Sequence, residues 1–247
     1  MARTLLRTFA FITATFIATS YVQAEMTLSG TRIIYNENKN DTSIRLENKG
    51  QRPLLAQVWL DDGNDAADPS TLNVPFTLTP PVSRVEAKRG QTVKIMFNGT
   101  TVLPKDRESV FWFNALEVPP KSSAADSAGK NILQLAFRTR IKLFYRPQGL
   151  QGTSSEAPAL LNWKAQQRDG KTVLHVTNPT PYYVSFNNVE LEANGRKFTV
   201  APDMVPPKST HDLTVNGLAS VPSAGSVSYT AISDYGGAID GKKTLQP

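Results

Sequence analysis

The sequence predicts an all-β protein made of two sandwich domains. Runs of strand-forming residues recur along the chain, and clusters of Gly, Pro, Asn, Asp and Ser separate them. No run shows the 3.6-residue hydrophobic period of an amphipathic helix. A stretch rich in Pro, Gly and Ser at 147–155 interrupts the pattern, as a linker would, and divides the strands into two groups.

The first group predicts one sandwich over 25–147. Its candidate strands lie at 28–35, 42–48, 54–60, 83–87, 92–97, 110–118 and 132–145. About seven short strands in about 120 residues are typical of an immunoglobulin-like sandwich.

The last of these strands is the most informative. The stretch NILQLAFRTRIKLFYRP at 131–147 is about three times the average strand length. Leu133, Leu135 and Phe137 alternate in it with Gln134, Ala136 and Arg138. A long alternating edge strand is an aggregation hazard unless it is covered or used. From the residues alone, the three apolar side chains face either the chain's own core or a partner.

The second group predicts another all-β sandwich over 156–247, after a linker at 148–155. Its candidate strands lie at 162–168, 172–178, 183–191, 196–200, 209–215 and 226–233. The two halves show no obvious sequence repeat.

Residues 1–24 are predicted to be a secretory signal peptide. Arg3 and Arg7 precede an apolar segment at 9–18, and the triplet at 22–24 fits the small-x-small cleavage rule, so the mature chain is expected to begin at Glu25. The alternative is a membrane anchor. It is disfavoured because the apolar segment is too short to cross about 30 Å of hydrocarbon.

The composition excludes several classes of function. There is no cysteine, so disulfides, thiolate catalysis and Cys-ligated zinc are excluded. The net charge of +6 is scattered rather than gathered into a basic stripe with aromatics, which argues against nucleic-acid binding. His175 and His211 lack partners at ligand spacing, and no catalytic or phosphate-binding motif is present. We therefore expect no enzymatic activity, no cofactor and no metal, and we interpret the acidic stretch at 61–65 as a solvated turn.

Five motifs resemble one known family. They are GTRIIY at 30–35, LPKDRESVFWFN at 103–114, the 131–147 stretch, NPTPYYV at 178–184 and SDYGG at 233–237. In this order they resemble the PapD-like periplasmic chaperones of the chaperone–usher pilus pathway, over essentially the whole mature chain. The resemblance implies two immunoglobulin-like domains in a boomerang arrangement. It also implies a periplasmic protein that binds, folds and caps pilus subunits (pilins and adhesin) by donor-strand complementation and delivers them to an outer-membrane usher.

The resemblance also implies roles for individual residues. Leu133, Leu135 and Phe137 on the donor strand, G1, would fill the open groove of the subunit. Arg32 and Lys142 match a cation pair that anchors the subunit's C-terminal carboxylate through charge-assisted hydrogen bonds.

Strict alternation places Lys142 on the strand face opposite Phe137. Either a twist of the strand near the domain junction reorients Lys142, or the cleft between the two domains lies on the same side as Lys142.

A third set of residues matches a family ion network between the domains, expected to fix the interdomain angle: Glu108, Arg146 and Asp234. The loop at 121–130 is short and lacks cysteine, which resembles the branch that builds rod-like pili.

Two alternative functions and one question about the free protein stay open at the level of sequence. An exported structural fimbrial subunit or adhesin would also be all-β, but it typically carries a disulfide and a free N-terminal donor segment. A β-rich exported hydrolase lacks support from any catalytic constellation. Self-association of the free protein would also cover the donor edge, and the sequence does not decide whether it occurs.

Overall fold

The computed structural model describes residues 25–120 and 135–246. The predicted signal peptide, the loop at 121–130 and Leu133 lie outside the described residues.

The described part of the first domain forms two packed sheets. Its strands are β1 (Met26–Leu28), β2 (Arg32–Asn36), β3 (Thr42–Asn48), β4 (Leu54–Asp61), β5 (Phe76–Thr79), β6 (Val82–Val85), β7 (Gly90–Phe97), β8 (Ser109–Val118) and β9 (Phe137–Arg146). One sheet has the order β1-β3-β7-β5, and the other has the order β2-β9-β8-β4-β6. Only β2 and β9 pair in parallel among these neighbours.

The second domain repeats the sandwich plan. Its strands are β10 (Asn162–Arg168), β11 (Lys171–Asn178), β12 (Val184–Ala193), β13 (Arg196–Val200), β14 (Met204–Val205), β15 (Ser209–Thr214), β16 (Ser226–Ile232) and β17 (Ala238–Thr244). One sheet has the order β10-β11-β15; the other has the order β13-β12-β16-β17, with β14 pairing to β12.

Each domain has its own apolar core, so neither depends on a disulfide. In the first domain, Tyr35 and Tyr145 stack with centroids 5.8 Å apart, and Phe76 meets Phe111 edge to face at 5.0 Å. In the second, the ring of Trp163 lies 5.9 Å from that of Tyr229. Buried aromatic side chains contribute a large apolar area and a preferred geometry, which stabilises small sandwiches.

The predicted fold class is confirmed, but several details of the predicted strands are wrong. The strand expected at 28–35 is two strands, β1 and β2, and strands β5, β14 and β17 are absent from the prediction. The sequence does not predict β5, because its four residues lie between Pro75 and the pair Pro80-Pro81, and prolines disfavour a strand. The last strand of the first domain was expected from 132, but within the described residues it begins at Phe137, and Leu135 and Ala136 precede it. In the described ranges, no helix is long and apolar enough to cross a membrane.

Candidate functional site

A cleft between the domains brings Arg32 and Lys142 together. They are direct partners in the parallel ladder of β2 and β9. The cleft has a volume of about 450 Å³, and the second domain lines it with Asn187, Thr230 and the segment around Gly236.

The register of β9 explains why Lys142 faces this cleft. Its pairing with β8 runs from Phe137 to Tyr145 without a shift, so side chains alternate strictly. Ile141 and Leu143 point into the core of the first domain, and Lys142 therefore points to the opposite face. Of the two alternatives left open by the sequence, the structure shows the second, in which the cleft lies on the side of Lys142.

The two cleft cations have no carboxylate partner within the described ranges. The Nη1 of Arg32 donates to the carbonyl of Ile232 at 2.9 Å, while its Nε is buried and has no hydrogen-bond partner in the part of the chain that the structure describes. The Arg32 guanidinium also lies 5.8 Å from the centroid of Phe144. Neither Arg32 nor Lys142 forms a salt bridge with any described residue.

Their electrostatics suit an anion. Burial lowers the pKa of Arg32, although Asp234 and Glu108 oppose the shift through their charges. Burial also lowers the pKa of Lys142, and the positive charge of Arg32 lowers it further. Two neighbouring cations that are partly removed from water destabilise one another, and an anion bound between them would relieve this.

An unpaired strand edge begins beside these cations. On one side, β8 pairs with β9 from Phe137 to Tyr145. On the other side, β2 pairs with β9 only from Lys142 to Arg146. Among the described residues, no strand pairs with this second edge at 137–141. Its backbone N–H and C=O groups can therefore accept an added strand.

The predicted donor side chains are partly placed. Leu135 is 47% exposed and lies just before β9. Phe137 is half-buried, begins β9, and shares a face with Ile141. Within the described residues, neither Leu135 nor Phe137 belongs to the core of the first domain. Their insertion into a subunit stays a prediction.

The structure brings the three predicted ion-network residues together. Arg146 Nε donates to Glu108 Oε1 at 2.7 Å. Its Nη1 and Nη2 donate to the two carboxylate oxygens of Asp234 at 2.7 and 2.9 Å. The backbone N–H of Tyr183 donates to Glu108 Oε2 at 2.8 Å. The network thus joins the residue before β8 and the end of β9 in the first domain to two loops of the second.

Burial gives the two carboxylates opposite pKa shifts. Glu108 is only 3% exposed, and burial raises its pKa despite the charge of Arg146. Burial acts on Asp234 in the same direction, but the hydrogen bonds and charge of Arg146 outweigh it and lower the pKa. Burial alone would lower the pKa of Arg146, but its two carboxylate partners outweigh this effect and raise the pKa. The arginine is the common centre of the network.

The sequence indicates a solvated turn at 61–65, but this is wrong for Asp61. It is fully buried at the end of β4, and Arg140 Nε donates to its Oδ2 at 3.0 Å. Asn114 Nδ2 donates to the same oxygen at 2.7 Å, and the N–H of Gly63 donates to Oδ1 at 2.8 Å. Burial opposes ionisation, but these hydrogen bonds outweigh it and lower the pKa of Asp61. Sequence reasoning missed the residue because Arg140 lies 79 positions away.

Sequence reasoning also missed why the SDYGG motif has a glycine at position 236, and the reason is steric. Gly236 has φ of +82°, and a Cβ there would lie 2.7 Å from Thr31 Oγ1 across the domain junction. Only glycine adopts this backbone easily and permits so close an approach.

The two histidines lie in the second domain, each beside a carboxylate. His175 Nδ1 lies 2.7 Å from Asp212 Oδ1, and His211 Nε2 lies 3.0 Å from Asp203 Oδ2. In the part of the chain that the structure describes, no group of three or more His, Cys, Asp or Glu side chains could hold a metal ion.

Comparison with known families gives two matches that together span most of the chain. Residues 25–151 match the N-terminal domain of the pili and flagellar-assembly chaperone PapD. Residues 156–243 match the C-terminal domain of the pili assembly chaperone PapD.

Individual relatives agree with these matches. The chain is 53% identical over 235 residues to the probable fimbrial chaperone YadV of Escherichia coli K12, covering 95% of each chain. It is 46% identical over 218 residues to the chaperone protein FimB/FhaD of Bordetella pertussis, covering 87% of this chain and 86% of that protein.

Solved structures of chaperones superpose on most of the chain. A crystal structure of the YadV chaperone superposes with a TM-score of 0.78 at 51% identity, covering 90% of this chain and all of that one. A structure of the Salmonella enterica SafA pilin in complex with the SafB chaperone gives a TM-score of 0.73 at 25% identity, covering 92% of this chain and 99% of that one.

Proposed function

The chain belongs to the PapD family of pili-assembly chaperones, and from this premise we propose that it binds pilus subunits along the open edge of β9. The subunit adds a strand to residues 137–141, and the chaperone's own strand completes the fold of the subunit. The chaperone then delivers the capped subunit to an outer-membrane usher. This function needs binding and release but no covalent step, so we propose that the chain is not an enzyme.

The observation that carries the proposal is the position of the open edge beside Arg32 and Lys142, neither of which has a carboxylate partner among residues 25–120 and 135–246. Because β2 covers β9 from Lys142 onward, an added strand must end near that residue. A C-terminal carboxylate at this end would lie between Arg32 and Lys142. The added strand would then run parallel to β9. Charge-assisted hydrogen bonds would fix its terminus, and backbone hydrogen bonds to β9 would hold the rest of the strand.

Leu135 and Phe137 extend the same surface. We propose that they and Leu133 enter the groove of the subunit. Leu135 is already 47% exposed in the free protein, so its burial on binding would remove apolar area from water. Full burial of such a side chain contributes about 1.5–3 kcal/mol before ordering costs.

We also propose roles for the network and for the first residues of the chain. Arg146, with Glu108 and Asp234, holds the two domains at the angle that forms the cleft. Residues 1–24 direct export to the periplasm, where the family acts, and are removed after Ala24. Mass spectrometry of the periplasmic protein tests this: an N-terminus at Glu25 is expected, and a chain that retains 1–24 would contradict it.

The alternative of a structural fimbrial subunit or adhesin is disfavoured. Both domains match chaperone models, and the match to YadV extends over 95% of each chain.

The anchor is tested with peptides that carry the C-terminal strand of a fimbrial subunit encoded with this chaperone. One peptide has a free carboxylate, and the other ends in an amide. Titration calorimetry should show tight binding of the acid and at least about tenfold weaker binding of the amide, since a hydrogen bond to a charged group contributes about 1.5–3 kcal/mol.

Variants of the chaperone complete the test. Arg32→Ala and Lys142→Ala should each reduce binding of the acid peptide to the level of the amide. Lys39→Ala removes an exposed cation just after β2 and should bind like the wild type. Equal affinity for the two peptides, or full binding by both cleft variants, would contradict the anchor.

A further inference from the structure

Three cations lie in line on the outer face of β9. Arg138, Arg140 and Lys142 are two residues apart, and the strand alternates without a shift, so all three point to the same side. Successive members are therefore about 6.6 Å apart along the strand. A carboxylate at the end of an added strand meets this row at several possible positions.

The apolar side chains of the added strand cannot prevent it from shifting by two residues along β9. Because the side-chain period of a strand is two, such a slip returns every side chain to the same face. The hydrophobic pattern excludes a slip of one residue but tolerates a slip of two. Something else must distinguish Lys142 from Arg140.

The structure distinguishes them by the position of one buried carboxylate. Asp61 bonds to Arg140 and lies 3.6 Å from Arg138. Arg138 is further tied to Asn114 Oδ1 at 2.8 Å and to the carbonyl of Asp65 at 2.6 Å. Both of these cations are therefore occupied in the free protein.

Lys142 is shielded from the same carboxylate. Asp61 and Lys142 both pair with Trp112, from opposite sides, so Trp112 occupies the position between them. The guanidinium of Arg140 lies over the Trp112 ring at 4.8 Å. The charge of Asp203 acts on Lys142, but that carboxylate is 64% exposed and bonds to His211.

We propose that Asp61 selects the register of the bound subunit strand by occupying Arg140, so that the terminal carboxylate docks at Lys142 and Arg32 and not two residues earlier. Asp61 is thus a positioning residue that acts through Arg140. The inference rests on the proposed function, since it assumes that a terminal carboxylate is anchored in the cleft.

A double variant tests the proposal. Lys142→Ala alone should weaken binding of the free-acid peptide by at least tenfold. When Asp61→Asn is added, Arg140 becomes available as an anchor, and the double variant should bind the acid peptide several-fold more tightly than Lys142→Ala. A merely structural role of Asp61 predicts the reverse, namely weaker binding by the double variant.

Three controls define the source of the rescue. The amide peptide should show no rescue, because it lacks the carboxylate. Adding Arg140→Gln to the double variant should abolish the rescue. Asp62→Asn, an exposed neighbour in the same turn, should not rescue Lys142→Ala. If Asp61→Asn lowers the melting temperature too far, Asp61→Ser provides a second neutral side chain for the same comparison.

The register can be read directly because the chain has no cysteine. One cysteine in the peptide and one at position 137 or 139 of the chaperone will form a disulfide only when they are neighbours. The peptide cysteine that traps with Thr139→Cys in the otherwise unchanged protein should trap with Phe137→Cys in the double variant. An unchanged trapping pattern, or no rescue despite a folded double variant, overturns the role of Asp61. Unimpaired binding by Lys142→Ala would instead overturn the anchor itself.

Discussion

Arg32 and Lys142 are paired residue to residue across the parallel strands β2 and β9, and neither forms a salt bridge with a described carboxylate. Strand β2 begins at Arg32, which pairs with Lys142, and the unpaired edge of β9 at 137–141 ends just before this pair. The proposed carboxylate anchor and the proposed strand-binding edge therefore share a boundary, and one bound chain terminus would reach both.

Carboxylate binding should depend on the protonation of Lys142. Burial and the charge of Arg32 lower its pKa below the ordinary value of 10.5. Only the protonated amine attracts the carboxylate, so affinity for the free-acid peptide should fall as the pH rises through the lowered pKa. Peptide titrations over alkaline pH check this.

Two comparisons isolate Lys142 in that experiment. The amide peptide should bind independently of pH in this range, and Lys142→Arg should flatten the profile because arginine stays protonated. An unchanged profile in Lys142→Arg would assign the pH dependence to another group.

Leu135 should matter for binding and not for folding. It is 47% exposed, so Leu135→Ala should change the free energy of unfolding by no more than about 0.5 kcal/mol. Burial against the subunit should make the same change weaken subunit binding by about tenfold. Denaturant unfolding and subunit titration measure the two effects. Val102→Ala, at a residue that is 93% exposed, should alter neither quantity; a large loss of stability in Leu135→Ala would place this side chain in the chaperone's own core.

Arg146 should hold the interdomain angle. Arg146→Met leaves two carboxylates without their shared cation, and breaking a buried pair in this way costs about 3–5 kcal/mol. We expect the domains to separate or vary in angle, which small-angle scattering would show as a larger and broader distance distribution. Arg84→Met, which removes an exposed pair with Glu86, is the matched control. A scattering curve identical to that of the wild type would remove Arg146 from this role.

Asp61 should stabilise the folded protein at neutral pH and lose this contribution in acid. Its pKa in the folded protein lies below the ordinary value of 3.8, so the unfolded chain takes up the proton first. The contribution is complete above 3.8 and is lost as the pH falls through the folded pKa. In denaturant unfolding, Asp61→Asn should be less stable than the wild type at neutral pH and should lose less stability on acidification. Parallel profiles for the two proteins would contradict this.

The sequence predicted those parts of the site that depend on local pattern. Alternation in β9 indicated that Lys142 lies on the strand face opposite to that of Phe137, because strand periodicity needs no knowledge of the rest of the fold. It left open whether a twist reorients Lys142, and the unshifted register of β9 decides this. The environment of Asp61 depends on Arg140, which only the β4-β8-β9 order brings close. The extent of the free edge was equally unpredictable, since it depends on where β2 stops pairing. No local pattern encodes such relationships between distant strands.

Hydrogen exchange of the β9 backbone, measured with and without a bound subunit, tests the central claim most directly. Residues 137–141 have no strand on their outer edge in the described structure, whereas β2 already pairs with 142–146. We predict that subunit binding slows exchange at outward-facing amides of 137–141 and leaves 142–146 nearly unchanged. A complex that forms without added protection at 137–141 would show that β9 does not pair with the subunit.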